Sequence, residues 1–406
     1  MKYAIFGGSF DPVHNGHLSM ALAVLTLGYD RIILVPAYRS PFKSLQQSES
    51  ADIRLMLLLS AISGDRRFTV DACEIKREGV SYTIDTLCDI RERYPMSGKP
   101  ALILGDDIAS SFLQWKDAER ITENADIIIA SRFSSAQISY PYPCSFLGNA
   151  IMKVSSGSVR DLIQENGHWQ PLVPEGVCKV IEKHGLYGAR KALTCEDEEF
   201  DFRNESSNMP VLIKYIENTA RNMMNPYRFI HSRNVALHAS DLAVRFACNS
   251  DNAYLAGIIH DICKEFRPSD LMKYAMEDGA AISRLENKKP SLLHGRAAAM
   301  LIQEKFGIND ADIIEAVRFH TTGKLSMGPL AKIVYIADKI EAARTTVDSR
   351  LRRLVFGDEG KNTSLDDLFG IVFETTVKWL MDRGFVISDE TLKLFSGMKY
   401  EKTDRF

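Results

Sequence analysis

Four short apolar runs, Tyr3–Phe6, Arg31–Val35, Ala101–Leu104 and Ile127–Ala130, are each followed by a stretch with helical periodicity. Few folds tolerate that rhythm. Strands that read as unbroken hydrophobic runs are buried on both faces, and parallel neighbours need a crossover between them, usually a helix. The pattern predicts a parallel sheet with crossover helices over residues 1–187. From residue 209 the texture changes. Apolar residues recur at helical spacing, as in Ile313, Ile314, Val317 and His320, with almost no strand signal, so 209–406 is expected to be all-α. Between the two, residues 188–208 carry Glu196, Asp197, Glu198, Glu199 and Asp201, then Asn204 to Asn208, the composition of a solvated acidic linker.

A chain of 406 residues is too long for one typical core, which agrees with that division. The net charge of -3 gives no bulk attraction to nucleic acid, so no nucleic-acid partner is expected. Apolar stretches such as Leu18 to Leu27 fall short of the ~20 residues that span a bilayer. Seven cysteines stand singly with no C-x-x-C pair, and the N-terminus lacks a long apolar leader core. Reduced thiols in a cytoplasmic protein without membrane attachment are the expectation. Oligomeric state stays open, a homo-oligomer included.

The first strand runs into Gly7-Gly8-Ser9-Phe10-Asp11-Pro12-Val13-His14-Asn15-Gly16-His17. Glycines after a buried strand let backbone N–H groups approach a phosphate chain. His14 and His17 share a face if a helix begins here, and a helix N-terminus attracts anions. Two imidazoles at that point can donate hydrogen bonds to a phosphorus centre as it gains negative charge. Further on, Ser155, Ser156 and Ser158 precede the apolar-periodic Val159, Leu162 and Ile163, the signature of a capped helix start beside the cationic Arg160.

The first run resembles the H-x-G-H signature of the nucleotidyltransferases in the form used by nicotinate-mononucleotide adenylyltransferases. The related phosphopantetheine adenylyltransferases usually carry Thr in place of His14. Gly79-Val80-Ser81-Tyr82-Thr83-Ile84-Asp85-Thr86-Leu87 is similar to that family's pyridine-nucleotide segment. Leu104-Gly105-Asp106-Asp107 with Phe112 and Trp115 is similar to its G-x-D…F-x-x-W segment, and Ser155–Arg160 to its second phosphate motif. Val173, Pro174, Leu186 and Tyr187 match its C-terminal tail. Ser40, Phe42 and Gly157 depart from the family pattern. The resemblance implies a Rossmann-like α/β domain that moves AMP from ATP to nicotinate mononucleotide, giving deamido-NAD and pyrophosphate, with Mg²⁺ accompanying ATP. It assigns ATP to Gly7, Gly8, Ser9, Phe10, His14, His17, Lys43, Ser155, Ser156, Ser158 and Arg160, with His14, His17 and Arg160 catalytic. The mononucleotide falls to Tyr82, Thr83, Thr86, Gly105, Asp107 and Trp115. The amidated acceptor, nicotinamide mononucleotide, is the alternative.

In the all-α half, His231, the pair His260-Asp261, His294, His320 and Asp338 all sit in apolar settings. A buried imidazole beside a carboxylate is costly unless both are hydrogen-bonded or bound to metal. One such histidine is more often a satisfied core residue than a ligand, but five placements in the order H…HD…H…H…D argue for a metal site built inside a bundle. His260 and Asp261 are expected ~100° apart on one helix. His238 lies outside the pattern and reads as structural, and Cys263 as packing. The order resembles the HD superfamily of phosphohydrolases. Ala256–Lys264, Arg318–Gly323 and Tyr335–Glu341 are similar, more narrowly, to the bacterial symmetrical diadenosine-tetraphosphate hydrolases. That resemblance implies one metal on His231, His260, Asp261 and Asp338, and a second on His294 and His320 with Asp261, a catalytic residue, bridging them. Iron is implied, with manganese the alternative. Lys264 and Arg344 would bind polyphosphate, or form surface salt bridges. Diadenosine tetraphosphate would be cut into two ADP. A nucleotidase, a cyclic-nucleotide hydrolase and a nucleotide-sensing regulatory module are the alternatives.

Overall fold

The computed structural model describes residues 1–39, 48–109, 111–131, 140–150, 152–191, 208–342, 344 and 349–403. The chain divides into two compact units, Met1–Glu199 and Phe200–Phe406, the division falling outside the described residues.

The first unit is built on six parallel strands: β1 Tyr3–Gly8, β2 Arg31–Pro36, β3 Phe68–Val70, β4 Ala101–Gly105, β5 Asp126–Ala130 and β6 Cys144–Leu147. Their spatial order is β3-β2-β1-β4-β5-β6. The four expected strands are β1, β2, β4 and β5, the interior of the sheet. β3 and β6 are its edges, and they escape the pattern for a physical reason. β3 has three residues, and β6 leaves Phe146 44% exposed, so neither needs the long buried run that marks a central strand. The helices Asn15–Leu25, Ala51–Ala61, Thr83–Arg93 and Ala118–Asn124 supply the crossovers. Beyond β3, buried Asp71 is bound by Arg93 at 2.7 Å and by the Tyr94 hydroxyl at 2.8 Å, which ties helix 83–93 to the sheet.

The winding reverses between β1 and β4. Where strand order turns like this, the carboxyl ends of the two strands diverge and leave a crevice. β1 ends in Gly7 and Gly8 and β4 in Gly105, so the expected nucleotide motifs stand at its rim.

The second unit contains no strand among its described residues. Its helices include Met209–Met223, Pro226–Arg245, Ser250–Ile259, Pro268–Met276, His294–Phe306, Ala311–Phe319, Pro329–Ile340 and Leu365–Asp382. Side chains of Asn225, Asn249, Asp310 and Ser364 cap four of them. Gly257 brings helix 250–259 onto helix 226–245 so closely that a Cβ there would stand 2.5 Å from Ala236 Cα. Tyr335, Phe369 and Phe373 form an aromatic core with centroids 5.3–5.7 Å apart. No helix among the described residues is long and apolar enough to cross a membrane.

Candidate functional site

In the first unit, helix 15–25 begins where expected, with His14 as its N-cap and His17 in its first turn. The two form a reciprocal capping box. The His17 N–H donates to His14 Nδ1 at 3.4 Å and the His14 N–H donates to His17 Nδ1 at 3.3 Å. The His17 N–H is shared with the His14 carbonyl at 2.9 Å, and because a backbone N–H can only donate, these contacts favour a lone pair on each Nδ1 and, in the neutral ring, the proton on Nε2. The rings stack, centroids 3.6 Å apart, with His17 braced against Phe10 at 5.1 Å. Gly16 makes room for this pair, since a Cβ on it would stand 2.8 Å from Val154 Cγ1 and 3.1 Å from His14 Nδ1.

A second helix start meets the first. Ser155 caps helix Ser156–Gln164 in another reciprocal box, with Ser158. The Ser156 hydroxyl donates to the Pro12 carbonyl at 2.9 Å, and Arg160 Nη1 donates to the Asp11 carbonyl at 2.5 Å. The opening turns of both helices therefore converge on residues 9–14, and first-turn N–H groups have no partner within their own helix. Asp11, given no role in the sequence, organises that loop. Its carboxylate accepts from the Tyr187 hydroxyl at 2.8 Å and lies 3.8 Å from Arg160. The buried Arg54 donates to the Ser9 carbonyl at 2.8 Å. Lys43, and with it the departures at Ser40 and Phe42, lies outside the described residues. Gly157 has an unstrained φ and only Ser155 Oγ, at 3.7 Å, within 4 Å of a Cβ, so the family's Thr would fit.

The expected mononucleotide residues separate into two kinds. Gly105 closes β4, paired with Ala130, and Asp107 is exposed beyond it. Tyr82 precedes helix 83–93, with Lys116 4.6 Å from its ring centroid, and Trp115 packs 5.4 Å from Phe112. Thr83 opens that helix. Thr86 is different: it is buried, and its hydroxyl donates to Glu74 at 2.6 Å and accepts from Arg77 at 3.0 Å, a bracing position.

In the second unit, all six expected ligands converge. Asp261 faces two groups, one with each oxygen. Oδ2 lies 3.9 Å from His231 Nε2 and 3.7 Å from His260 Nε2, while Oδ1 lies 3.1 Å from His294 Nε2 and 3.4 Å from His320 Nε2. Asp338 Oδ1 completes the first group, 3.2 Å from His231 and 3.8 Å from His260. The expectation that His260 and Asp261 lie within one helix is corrected. Helix 250–259 stops before them, and His260 and His320 are the residues that end their helices. His294 likewise ends the short 3-10 turn Pro290–Leu293. The reason is local: carbonyls in a helix's last turn lack a donor, and an imidazole N–H supplies one. His260 Nδ1 binds the Gly257 carbonyl at 2.7 Å, His294 Nδ1 that of Ser291 at 2.6 Å and His320 Nδ1 that of Val317 at 2.7 Å. Carbonyls only accept, so each of these Nε2 atoms presents a lone pair. His231 Nδ1 is held at 3.2 Å by Glu341, whose other oxygen accepts from Asn234 at 3.0 Å.

This donor set fits metal. The Nε2 atoms of His294 and His320 are 2.9 Å apart with lone pairs toward each other, and His260 Nε2 is buried with no hydrogen-bond partner. Burial pushes His260 down to about 3 and His294 down to about 4, so both are neutral at pH 7. Burial would lower His231 too, but the hydrogen bonds to Asp338 and Glu341 raise it to about 9. A cation bound beside those carboxylates would take the place of that proton. Mixed imidazole and carboxylate ligands suit first-row transition metals.

Cations surround the cluster. Lys264 Nζ is 3.1 Å from His294 Nε2, Arg228 Nη1 is 2.8 Å from Asp261 Oδ2, Lys339 is 2.6 Å from Asp338, and Arg344 also pairs with Asp338. Lys264 and Arg344 thus belong to the cluster, not to a separate surface pair. Arg228, Lys339, Glu341 and Thr321, whose hydroxyl lies 3.1 Å from His294 Nε2 and 2.9 Å from His320 Nε2, were not singled out in the sequence. Only Glu341 had a legible signal, an acid directly after an apolar helical run. His238 packs with its ring centroid 4.7 Å from that of Phe356 and Cys263 is fully buried, as a structural residue and a packing thiol should be.

Over residues 5–162 the chain matches the cytidylyltransferase-like family, and over 228–343 the HD domain. A probable nicotinate-nucleotide adenylyltransferase of Treponema pallidum is 39% identical over 202 residues, covering 46% of this chain and 99% of the relative. One of Thermus thermophilus is 38% identical over 190 residues, covering 46% of this chain and 100% of the relative. Among solved structures, a predicted HD superfamily hydrolase involved in NAD metabolism from Clostridium acetobutylicum is 28% identical with a TM-score of 0.41. It covers 45% of this chain and 93% of its own.

Proposed function

Since the chain belongs to the nicotinate-nucleotide adenylyltransferase family through its first unit and carries an HD domain in its second, we propose that it is a bifunctional nucleotide enzyme. The first unit transfers AMP from ATP to nicotinate mononucleotide, with Mg²⁺ as the counter-ion of ATP. The second is a metal-dependent phosphohydrolase that cuts diadenosine tetraphosphate into two ADP.

For the first reaction the carrying observation is the reciprocal box that fixes both histidine tautomers. The 5′-phosphate of the mononucleotide attacks the α-phosphorus of ATP in line, and pyrophosphate leaves. As charge builds on the α-phosphate oxygens, the Nε2–H groups of His14 and His17 donate to them, their tautomers already set, once the buried His14 ring is opened to the substrate. The first-turn N–H groups of helices 15–25 and 156–164 bind the phosphate chain, and Arg160, itself anchored on Asp11, faces the leaving pyrophosphate. Trp115 and the segment from Tyr82 hold the pyridine nucleotide, the carboxylate of nicotinate being favoured beside Lys116.

For the second, the carrying observation is that Asp261 serves both groups of ligands, one oxygen each. His231, His260, Asp261 and Asp338 would hold one ion, and Asp261, His294 and His320 another, iron or manganese by donor chemistry. When bound, the ions supply Lewis-acid charge stabilisation at a phosphate. The chain's own part is to orient those ligands and to bind polyphosphate oxygens. Lys264, Arg228 and Arg344 provide positive charge around the cluster for that purpose.

One activity panel on the full-length protein tests both halves. ATP with nicotinate mononucleotide is expected to give deamido-NAD faster than nicotinamide mononucleotide gives NAD. The metal-loaded protein is expected to release two ADP from diadenosine tetraphosphate. ATP plus AMP as products, or no turnover of dinucleoside polyphosphates, would remove the second assignment.

A further inference from the structure

A single carboxylate outside the cluster holds both of the elements that supply its second group of ligands. Asp278 lies between helices 268–276 and 294–306, with its side chain 2% exposed. It accepts from Arg296 Nε and Nη2, each at 2.8 Å, and from the Ala280 N–H at 2.8 Å, and it forms an ion pair with Arg318 Nη2 at 2.9 Å. Arg296 stands two residues after His294, and Arg318 two residues before His320. The rest of the Arg296 guanidinium is taken by Glu286 at 3.1 Å and the Ala280 carbonyl at 2.8 Å, so it has no slack.

The two histidine-bearing elements also touch directly. A Cβ on Gly295 would stand 2.8 Å from the Arg318 carbonyl oxygen, 3.2 Å from that of Val317 and 3.4 Å from His320 Cε1. Backbone therefore rests on backbone on one side, and a two-arginine clamp closes the other. Their joint product is the 2.9 Å spacing of the His294 and His320 Nε2 atoms. His231 and Asp338 lie on helices 226–245 and 329–340, and His260 ends helix 250–259. Asp278 makes no ion pair with any of those elements among the described residues.

We propose that Asp278 is a positioning residue for one metal position only, the one served by His294 and His320. The inference rests on the two-ion reading above. Asn at this position would keep the volume but lose the charge that two guanidiniums share, releasing Arg318 and with it the turn that ends in His320.

The test is metal binding, not turnover. Metal-free full-length protein is titrated with Co²⁺, whose absorption reports ligand geometry, and with Mn²⁺ by calorimetry. The wild type is expected to bind two ions. Asp278→Asn should bind the first with unchanged affinity and the second about tenfold or more weakly, with only the second Co²⁺ spectrum altered. Glu286→Gln, which removes a different partner of Arg296 and keeps the clamp, should leave both steps unchanged. If Asp278→Asn fails to fold, Arg318→Gln, which preserves the Asp278–Arg296 pair, carries the same expectation. Equal weakening of both steps, or of neither, overturns the assignment. A wild type that binds fewer than two ions overturns the two-ion reading and the assignment with it.

Discussion

The two units give their histidines opposite backbone partners, and the partner decides what the ring can bind. His14 and His17 sit at a helix start, where backbone N–H groups donate to Nδ1 and leave the proton on Nε2. His260 and His320 sit at helix ends, and His294 where a 3-10 turn runs into helix 294–306; in all three, carbonyls three residues earlier take the Nδ1 proton and leave Nε2 bare. The same side chain therefore offers a donor to an anion in one unit and a lone pair to a cation in the other. No charge change is needed: the backbone selects the tautomer.

The comparison can be broken in several ways. The largest effect is expected from Asp261→Ala, which takes an oxygen from both groups of ligands. Diadenosine-tetraphosphate hydrolysis should fall by more than about a thousandfold, since bound metal supplies several kcal/mol of charge stabilisation. Deamido-NAD formation by the same protein should be unchanged, and product chromatography reads both. Next comes His14→Asn. Its carbonyl can still accept from the His17 N–H and cap the helix, but it has no Nε2–H. A kcat for adenylyl transfer lower by about 10²–10³, with an unaltered circular dichroism spectrum, is expected. Wild-type turnover would show that the tautomer is irrelevant there. Glu341→Gln probes the exception, His231, the one ring oriented by a carboxylate. Metal affinity should drop about 10–100-fold in equilibrium titrations while the fold persists. The smallest effect is expected from Ser155→Ala, which removes one side of the second capping box at a cost of about 1 kcal/mol. Denaturant melts should register it, with KM for ATP rising more than kcat falls.

Legibility in the sequence followed burial. Central strands announce themselves because both faces are covered, whereas the edges β3 and β6 do not carry that demand. The six candidate ligands of the second unit were readable because a buried His-Asp pair is chemically conspicuous. The place of His260 and His320 at helix ends was not, since periodicity locates a helix better than its last residue. Partners such as Asp278 and Arg228 become significant only when distant segments meet: Arg228 lies 33 residues from Asp261. Thr86 looked like a contact residue within its motif, and only the fold reveals Glu74 and Arg77 around its hydroxyl.

The hydrogen bond from the Tyr187 hydroxyl to Asp11 joins residues 176 apart, and Arg160 reaches the same aspartate across 149. A chain made from its N-terminus exports the loop of residues 9–14 almost first, yet the groups that hold it in shape emerge only near the end of the first unit. Such distant pairings form late because the intervening chain must be ordered before they can close. Nucleotide binding should therefore be absent from nascent chains released before Tyr187 and present soon after it, making ATP affinity a clock for completion of the first unit during synthesis.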